Sequence, residues 1–378
     1  MTFKAYKLTP VGSWFFRDGR PYNQGESTLA DIKSLFPPFA VTAVGAIRAS
    51  FARDLARDQG WNGKGDWPSE IKAKLGNGQK LAPLSFRGPY LLREKEGRSD
   101  FLVPAPLHLL GKESESDESK WEELCLLRPG EEVDCDIGDG VRLPSSKDAQ
   151  GKKSLFGSYL TLKDLEVVLT GGDLSKISPI KAKDLWDFEF LVGIARDFKN
   201  RTALEGLLYS ISRVRLMQGV SLAVEVDGIE AGLDLESTLP FGGEGGLAYA
   251  DMMDGTIKIP DAAELIPSSD GNIRFTLTHL TPAHFKCTWP GPGEEVPGIT
   301  GSRVVSACLE RPVWIGGWDS VNREPLPLKP FLPGGSTWFC EADGDRAEEI
   351  RKIGGKKIGE YCEFGFGEIA IGSWNDEQ

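Results

Sequence analysis

The residues best suited to do chemistry stand near the start of the chain, where three aromatics run into two arginines: Trp14-Phe15-Phe16-Arg17-Asp18-Gly19-Arg20-Pro21. Asp-Gly is a turn signal, because glycine takes positive φ without steric cost. A guanidinium is planar and donates paired hydrogen bonds. Two of them on one turn suit a phosphate better than they suit acid–base work. Pairing with local carboxylates is the other reading that residue type allows. Three glycine-rich segments, FGGEGG (241–246), PGGS (333–336) and GFGEIAIG (365–372), could bring backbone N–H groups close to phosphate. None carries the Gly-Lys-Ser/Thr of a Walker loop or the strand-to-helix setting of a dinucleotide fingerprint. Taken singly, each reads as a turn or bulge.

The three histidines are His108, His279 and His284. His279, His284 and Cys287 form His-x4-His-x2-Cys, which lacks a fourth ligand, so no zinc site is expected. His108 lies in the apolar run VPAPLHLL and reads as a structural, partly buried histidine. A nuclease working by general acid–base catalysis usually needs a well-placed histidine. The Asp pairs that could hold magnesium do not cluster. No metal, no cofactor and no catalytic residue is therefore expected.

These groups need elements to position them. Residues 2–16 read as a β-strand. Pro37-Pro38 precedes a helix from about Thr42 to Arg57, whose buried stripe is Val44, Ile47, Phe51 and Leu55. Arg48, Arg53 and Arg57 lie off that stripe and are expected to be open to solvent or a ligand. Strands at 83–93 and 101–110 complete a strand–helix–strand–strand order, the opening of a ferredoxin-like unit. Residues 111–150 change character, and Glu113 to Lys120 read as a mobile acidic loop. Residues 207–227 read as a β-hairpin or a pair of strands, whose alternation places Tyr209, Ile211, Arg213 and Arg215 on one face. That face could stack and neutralise RNA, or simply pair across strands. Further strands at 273–280, 302–309, 336–340 and 361–374, with a short helix at 344–353, make the second half α+β as well. The expected fold is α+β with two ferredoxin-like (RRM-like) domains, 1–110 and 186–378, and a variable insertion at 111–185.

A formal charge of −12 argues against a free-standing nucleic-acid binder. The acidity is local, however. Residues 113–139 hold eleven acids against two bases, whereas residues 1–60 hold eight bases against five acids and 196–215 hold five against two. The basic regions could still make a phosphate-binding surface, helped by partner subunits. The first residues lack the apolar core of a signal peptide, and no apolar run reaches the length of a spanning helix. A cytoplasmic protein is expected. Six scattered cysteines without a Cys-x-x-Cys pair indicate neither a zinc ribbon nor a disulfide scaffold.

Taken in order, the segments WFFRDGRPYNQG (14–25), PPFAVTAVGAIRASF (37–51), RGPYLL (87–92), FLVPAPLHLL (101–110), RTALEGLLYSISRVRL (201–216), FGGEGGLA (241–248), TPAHF (281–285) and GFGEIAIGSW (365–374) resemble one family. It is the third subunit of the Cmr complex, the type III-B CRISPR effector, within the RAMP superfamily. The resemblance covers nearly the whole chain apart from 111–185. It implies two ferredoxin-like domains and no independent catalysis. It also implies a role in holding the repeat-derived 5′ handle of the CRISPR RNA, against the large palm-domain subunit and a backbone RAMP subunit. By the same resemblance Arg17 and Arg20 are RNA or interface contacts, and Thr42 and Arg48 match the family's Thr-x-x-Gly-x-x-Arg pattern. Gly242, Gly243, Glu244 and Gly245 match its Gly-Gly-Glu loop, although Gly246-Leu247 follow where many relatives carry an arginine. Gly365 and Gly367 match the C-terminal glycine-rich signature. Two rivals stand beside this expectation. One is a RAMP endoribonuclease cutting precursor CRISPR RNA, with His108 its candidate histidine. The other is a protein-only scaffold whose arginine turn pairs with carboxylates.

Overall fold

A computed structural model describes residues 2–17, 32–56, 66–197, 199–261, 264–286, 289–319 and 322–375. The secondary structure is mixed and mostly strand, with few helices. The chain forms two compact units, each assembled from three stretches. The first takes Met1–Leu91, Leu185–Gly255 and Trp314–Lys329, and the second takes Leu92–Asp184, Thr256–Val313 and Pro330–Gln378. These divisions differ from the expected ones at 110 and 186.

In the first unit the strand Thr2–Pro10 lies between Val220–Ile229 and Leu247–Met253, antiparallel to both. The strand Ser85–Lys95, whose residues 85–91 belong to this unit, flanks Val220–Ile229 on the far side. Val220–Ile229 (VSLAVEVDGI) is buried at nine of its ten positions. A strand buried on both faces must sit inside a sheet, which is why the chain returns from beyond residue 186 to complete the N-terminal core. The stretch 207–227 is accordingly not a hairpin. Its first strand, Ala203–Leu216, pairs instead with Trp186–Arg196, antiparallel from Trp186↔Leu216 to Arg196↔Ala203.

The helix Ala40–Ala56 begins just after Pro37-Pro38 and is alanine-rich, the composition that loses least on becoming helical. Ala43, Val44, Ile47 and Phe51 are buried, and Phe51 meets Tyr6 of the central strand edge-on at 6.3 Å between ring centroids.

The second unit is built on a sheet ordered Arg303–Cys308, Thr337–Asp343, Asn272–His279 and Ile369–Ser373, all antiparallel. Numbered by chain position within the unit, its order is 2-3-1-4. The strands at 85–91, 220–229, 2–10 and 247–253 give the first unit the same order. Phe275, Leu277, Trp338, Cys340, Ile369 and Ile371 form the second core. Residues 111–185 are a structured part of this unit. They supply the strands Trp121–Leu126, Arg128–Cys135, Gly138–Ser145 and Ser158–Thr161 and the helix Leu162–Leu169, whose N-cap Thr161 Oγ1 accepts from Asp164 N at 3.1 Å. The acidic run is a closed turn rather than a loose loop. Asp117 accepts from the backbone N and hydroxyl of Ser119, and Ser114 N donates to Lys120 O. Lys181, with 9 % of its surface exposed, bonds Glu113 and lies 4.5 Å from the Trp121 ring centroid.

Candidate functional site

The aromatic stretch, the Gly-Gly-Glu loop and the base of the long hairpin converge in the first unit. Trp14 exchanges both backbone hydrogen bonds with Val214, at 2.9 and 2.7 Å, which stitches the stretch onto the strand Ala203–Leu216. Its indole Nε1 donates to Leu247 O at 2.8 Å. Trp14, Phe15 and Phe16 are buried, and Phe241 packs edge-on against Trp14 (4.9 Å) and Phe16 (5.4 Å). The aromatics beside Arg17 are therefore part of the core and are not open to stack on bases.

The loop 241–246 lies on this aromatic anchor. Gly243 N donates to Phe15 O at 2.8 Å, and Phe241 N to Gly246 O at 2.9 Å. Gly242 has φ +79°, and a Cβ there would stand 2.6 Å from Phe15 O and 3.0 Å from the Phe16 ring. Only glycine allows that approach. Glu244 and Gly245 also take positive φ. Arg213 fixes the assembly: Nε donates to Ser13 Oγ at 3.0 Å, Nη1 to Glu244 O at 3.0 Å, and Nη2 to Ser13 O. Arg213 thus spends its donors within the protein, and Arg215 donates to both oxygens of Glu189 at 2.9 Å. Of the two readings of this face, RNA contact or pairing across strands, these partners are of the second kind for Arg215, whose Glu189 stands on the neighbouring strand.

Arg17 leaves this anchor at the exposed end of the aromatic stretch. Arg20 lies outside the described residues. Thr42 stands in the first turn of the helix Ala40–Ala56, which carries no acidic residue there. That helix start is tied to the same anchor: Leu35 N donates to Phe16 O, Ser34 Oγ accepts from Phe16 N, and the Phe36 ring lies 6.1 Å from Phe16. The structure therefore gathers Arg17, Gly242, Gly243, Glu244 and Gly245 around one anchor, with the helix start that carries Thr42 joined to it.

Arg48 is elsewhere. It is buried, and donates through Nε to Leu75 O (2.9 Å) and through Nη1 to Gly78 O (3.0 Å), with Trp67 stacked 5.0 Å away. Burial pulls its guanidinium down to about 10. The helix Ser69–Leu75, absent from the sequence reading, turns this arginine inward, so it is not open to a ligand. Arg53 likewise pairs with Glu236 at 2.7 Å. Gly365 and Gly367 serve the second unit. A Cβ on Gly367 would meet Ile358 O at 2.0 Å, and its N–H donates to Pro282 O at 2.8 Å.

The histidines offer no surface acid or base. His108 is buried with Nδ1 3.3 Å from Thr337 Oγ1, and burial, helped by the charge of Arg128, pushes it down to about 4. His279 is fully buried and pushed down to about 3 by burial alone. His284 Nδ1 lies 2.8 Å from Pro330 O. Cys287 is outside the described residues, and among the described residues no group of three His, Cys, Asp or Glu could hold a metal ion.

A surface that the sequence reading missed is the long hairpin. Phe188, Phe190, Val192 and Ile194 alternate along Trp186–Arg196 and are all exposed, Phe190 by 65 % and Val192 by 68 %. Arg196, Lys199 and Arg201 stand at the tip end. The alternating FEFLVGI (188–194), just inside the expected start of the second unit at 186, carries the signal.

Residues 6–374 match the family model for CRISPR-associated protein (Cas_Cmr3). No curated protein matches. Among solved structures, a chain of a type III-B Cmr-beta complex bound to cognate target RNA is 15% identical, with 97% of this chain and 96% of that chain covered and a TM-score of 0.48. A chain of a Csm1–Csm4 cassette in complex with AMPPNP is 14% identical, with 89% and 86% covered and a TM-score of 0.34. A chain of a Csm3–Csm4 subcomplex of the type III-A interference complex is 12% identical, with 89% and 92% covered and a TM-score of 0.35.

Proposed function

Because the chain belongs to the Cas_Cmr3 family of CRISPR-associated proteins, we propose that it is a non-catalytic subunit of a type III-B RNA-guided effector. In this reading it binds the repeat-derived 5′ handle of the CRISPR RNA and docks the large palm-domain subunit to the backbone RAMP subunit. The observation that carries the reading is the clamp of Arg213 on Ser13 and Glu244. It holds a glycine-rich backbone loop on the aromatic stretch that ends at Arg17. Backbone N–H groups and guanidinium forks preorganised on one surface are the means of gripping phosphates while splayed bases are read elsewhere. The long hairpin adds apolar side chains for bases and a basic tip for phosphates. Arg20 follows Arg17 by three residues in the sequence, and Thr42 belongs to the helix start tied to the same stretch. The 2-3-1-4 strand order of both sheets supports reading each unit as ferredoxin-like, elaborated by the hairpins. No helix among the described residues is long and apolar enough to cross a membrane, and the place of work in this reading is the cytoplasm.

A titration with labelled CRISPR RNA tests the proposal, with and without the palm-domain subunit, against an RNA of scrambled handle. Handle-selective binding that strengthens with the partner, with intact RNA on a denaturing gel, is the expected result. Specific cleavage would assign the chain to the endoribonucleases, and partner binding without handle preference would leave a scaffold.

A further inference from the structure

The loop 241–246 is the turn of a hairpin, and one face of that hairpin is open. Its strands pair Thr238↔Tyr249 and Pro240↔Leu247. On its other side Leu247–Met253 pairs with the first strand, Thr9↔Tyr249 and Lys7↔Asp251. Residues opposed across a ladder share a face, and successive residues alternate between faces. The inward face carries Leu239, Ala248 and Leu8, none of which has exposed surface. The outward face carries two rows. Pro240, Leu247 and Val11 lie next to the loop, Val11 N donating to Leu247 O at 3.1 Å. Thr238, Tyr249 and Thr9 form the row after it. Tyr249 is 49 % exposed, Val11 43 % and Leu247 40 %. Among the described residues the Tyr249 ring stacks on no other ring and its hydroxyl has no hydrogen-bond partner.

We propose that Tyr249 is the stacking platform for one unpaired base of the RNA whose backbone the loop 241–246 holds. The inference deepens the handle-binding reading and rests on it. Continuity with the loop chooses the occupant. Leu247 follows directly on the loop, and Tyr249 stands two residues along the same strand, roughly 7 Å further. Gly242, Gly243, Glu244 and Gly245 are exposed at the loop itself. A phosphate gripped there brings its own or the adjoining base over the Tyr249 row. A backbone grip beside an aromatic ring is how proteins hold single-stranded nucleic acid, because every base has a π-face to stack. The neighbours suit a base as well. Thr9 and Thr238 flank Tyr249 with short side chains whose hydroxyls can donate to or accept from a base edge. No carboxylate stands in either row to repel a phosphate, and in the row beyond Asp251 is opposed by Lys7. The three apolar side chains together expose roughly 200 Å², a quarter of the ~800 Å² per side of a stable protein interface. The patch is the size of one planar ring rather than of a protein contact.

The test uses the full chain together with the palm-domain subunit, as wild type, Tyr249→Ala and Tyr249→Phe. The probes are the intact handle RNA and a set in which one nucleotide at a time is abasic. Tyr249→Ala is expected to weaken handle binding by between about fivefold and about 150-fold, the range for one lost base–aromatic stack. Tyr249→Phe keeps the ring and should bind like the wild type. No phosphate contact is lost, so the slope of log K against log salt should stay the same. At one handle position the abasic RNA should weaken wild-type binding to the same extent, and Tyr249→Ala should lose nothing further on that RNA. Unchanged affinity in Tyr249→Ala, with Gly242→Ala still weakening handle binding, overturns the platform and leaves the handle-binding reading standing. A loss in Tyr249→Ala that no abasic position absorbs would place the effect in the fold of the hairpin and overturn it too. Weakened association with the palm-domain subunit at unchanged RNA affinity would assign the face to a protein, against the inference. A wild-type chain that does not distinguish the handle from a scrambled RNA overturns both this inference and the reading it rests on.

Discussion

Replacing Gly242 by alanine should cost this protein about 2–3 kcal/mol, part of it by prying the Gly-Gly-Glu loop off the aromatic anchor. Two effects add. Gly242 sits at φ +79°, and an alanine in the left-handed region costs about 1–2 kcal/mol. The new methyl would also lie 2.6 Å from Phe15 O and 3.0 Å from the Phe16 ring. That oxygen belongs to the backbone and is already held by Gly243 N at 2.8 Å, so it cannot swing aside. The loop must lift, which breaks a hydrogen bond whose net worth is about 1 kcal/mol and loosens the Phe241–Phe16 contact. Gly245→Ala is the matched control: its φ is +69°, but its Cβ would enter open space. It should lose only the conformational part. Urea unfolding of the two variants gives the difference, and amide exchange at Gly243 and Gly246 locates it. Equal losses in the two variants, or unchanged protection of Gly243 in Gly242→Ala, would refute the close-approach argument. If the loop grips the handle, Gly242→Ala should also weaken handle binding more than Gly245→Ala does.

Other expectations follow from the same geometry. Arg48→Ala should destabilise by about 2–4 kcal/mol, because it strips the carbonyls of Leu75 and Gly78 of a charged donor in a buried site. Arg48→Lys should recover little, since one ammonium cannot replace the fork, and handle affinity of the folded variant should be unchanged in a filter-binding titration. Arg17→Ala/Arg20→Ala should weaken handle binding while leaving partner docking intact. It should also lower the slope of log K against log salt by about 1.4, the value for two lost contacts to single-stranded phosphate. His279 and His108 are held neutral by burial, at about 3 and about 4, below their unfolded value of about 6.5. The unfolded chain therefore takes up protons first, and stability present above pH 6.5 is lost as pH falls toward 4, at up to ~1.4 kcal/mol per pH unit for each ring. His279→Phe keeps the ring contacts with Trp338 and Phe285 and should roughly halve the slope of urea midpoint against pH between 6.5 and 5. An unchanged slope would remove His279 from that account.

What could be read from the chain beforehand was local. The first strand and the proline-bounded helix with its Val44–Ile47–Phe51 stripe are set by residues close in sequence, and periodicity reports them; the Asp18-Gly19 turn lies outside the described residues. The misreadings at the strands and at Arg48 concern partners distant in sequence. Ala203–Leu216 and Val220–Ile229 are separated by a short turn and look like a hairpin. Yet the second is buried almost throughout, and only a central place between Thr2–Pro10 and Ser85–Lys95 can bury it. Arg48 follows Ile47 and falls outside the apolar stripe. Its inward course is decided by Leu75 and Gly78, about thirty residues on.

The arginines of the strand Ala203–Leu216 show the same limit at the candidate site. Alternation correctly put Arg213 and Arg215 on one face, and residue type made both look like phosphate ligands. Whether an arginine grips phosphate or protein depends on which acceptors the fold brings within 3 Å. For Arg213 those are two oxygens of Ser13, two hundred residues away, and the carbonyl of Glu244. The sequence signal that could have warned of this is the left-handed Glu244 between glycines: a carbonyl held in such a turn needs a donor, and the nearest unassigned forks were on that strand. Arg213 thus holds the loop 241–246 onto the aromatic stretch, at whose exposed end Arg17 stands.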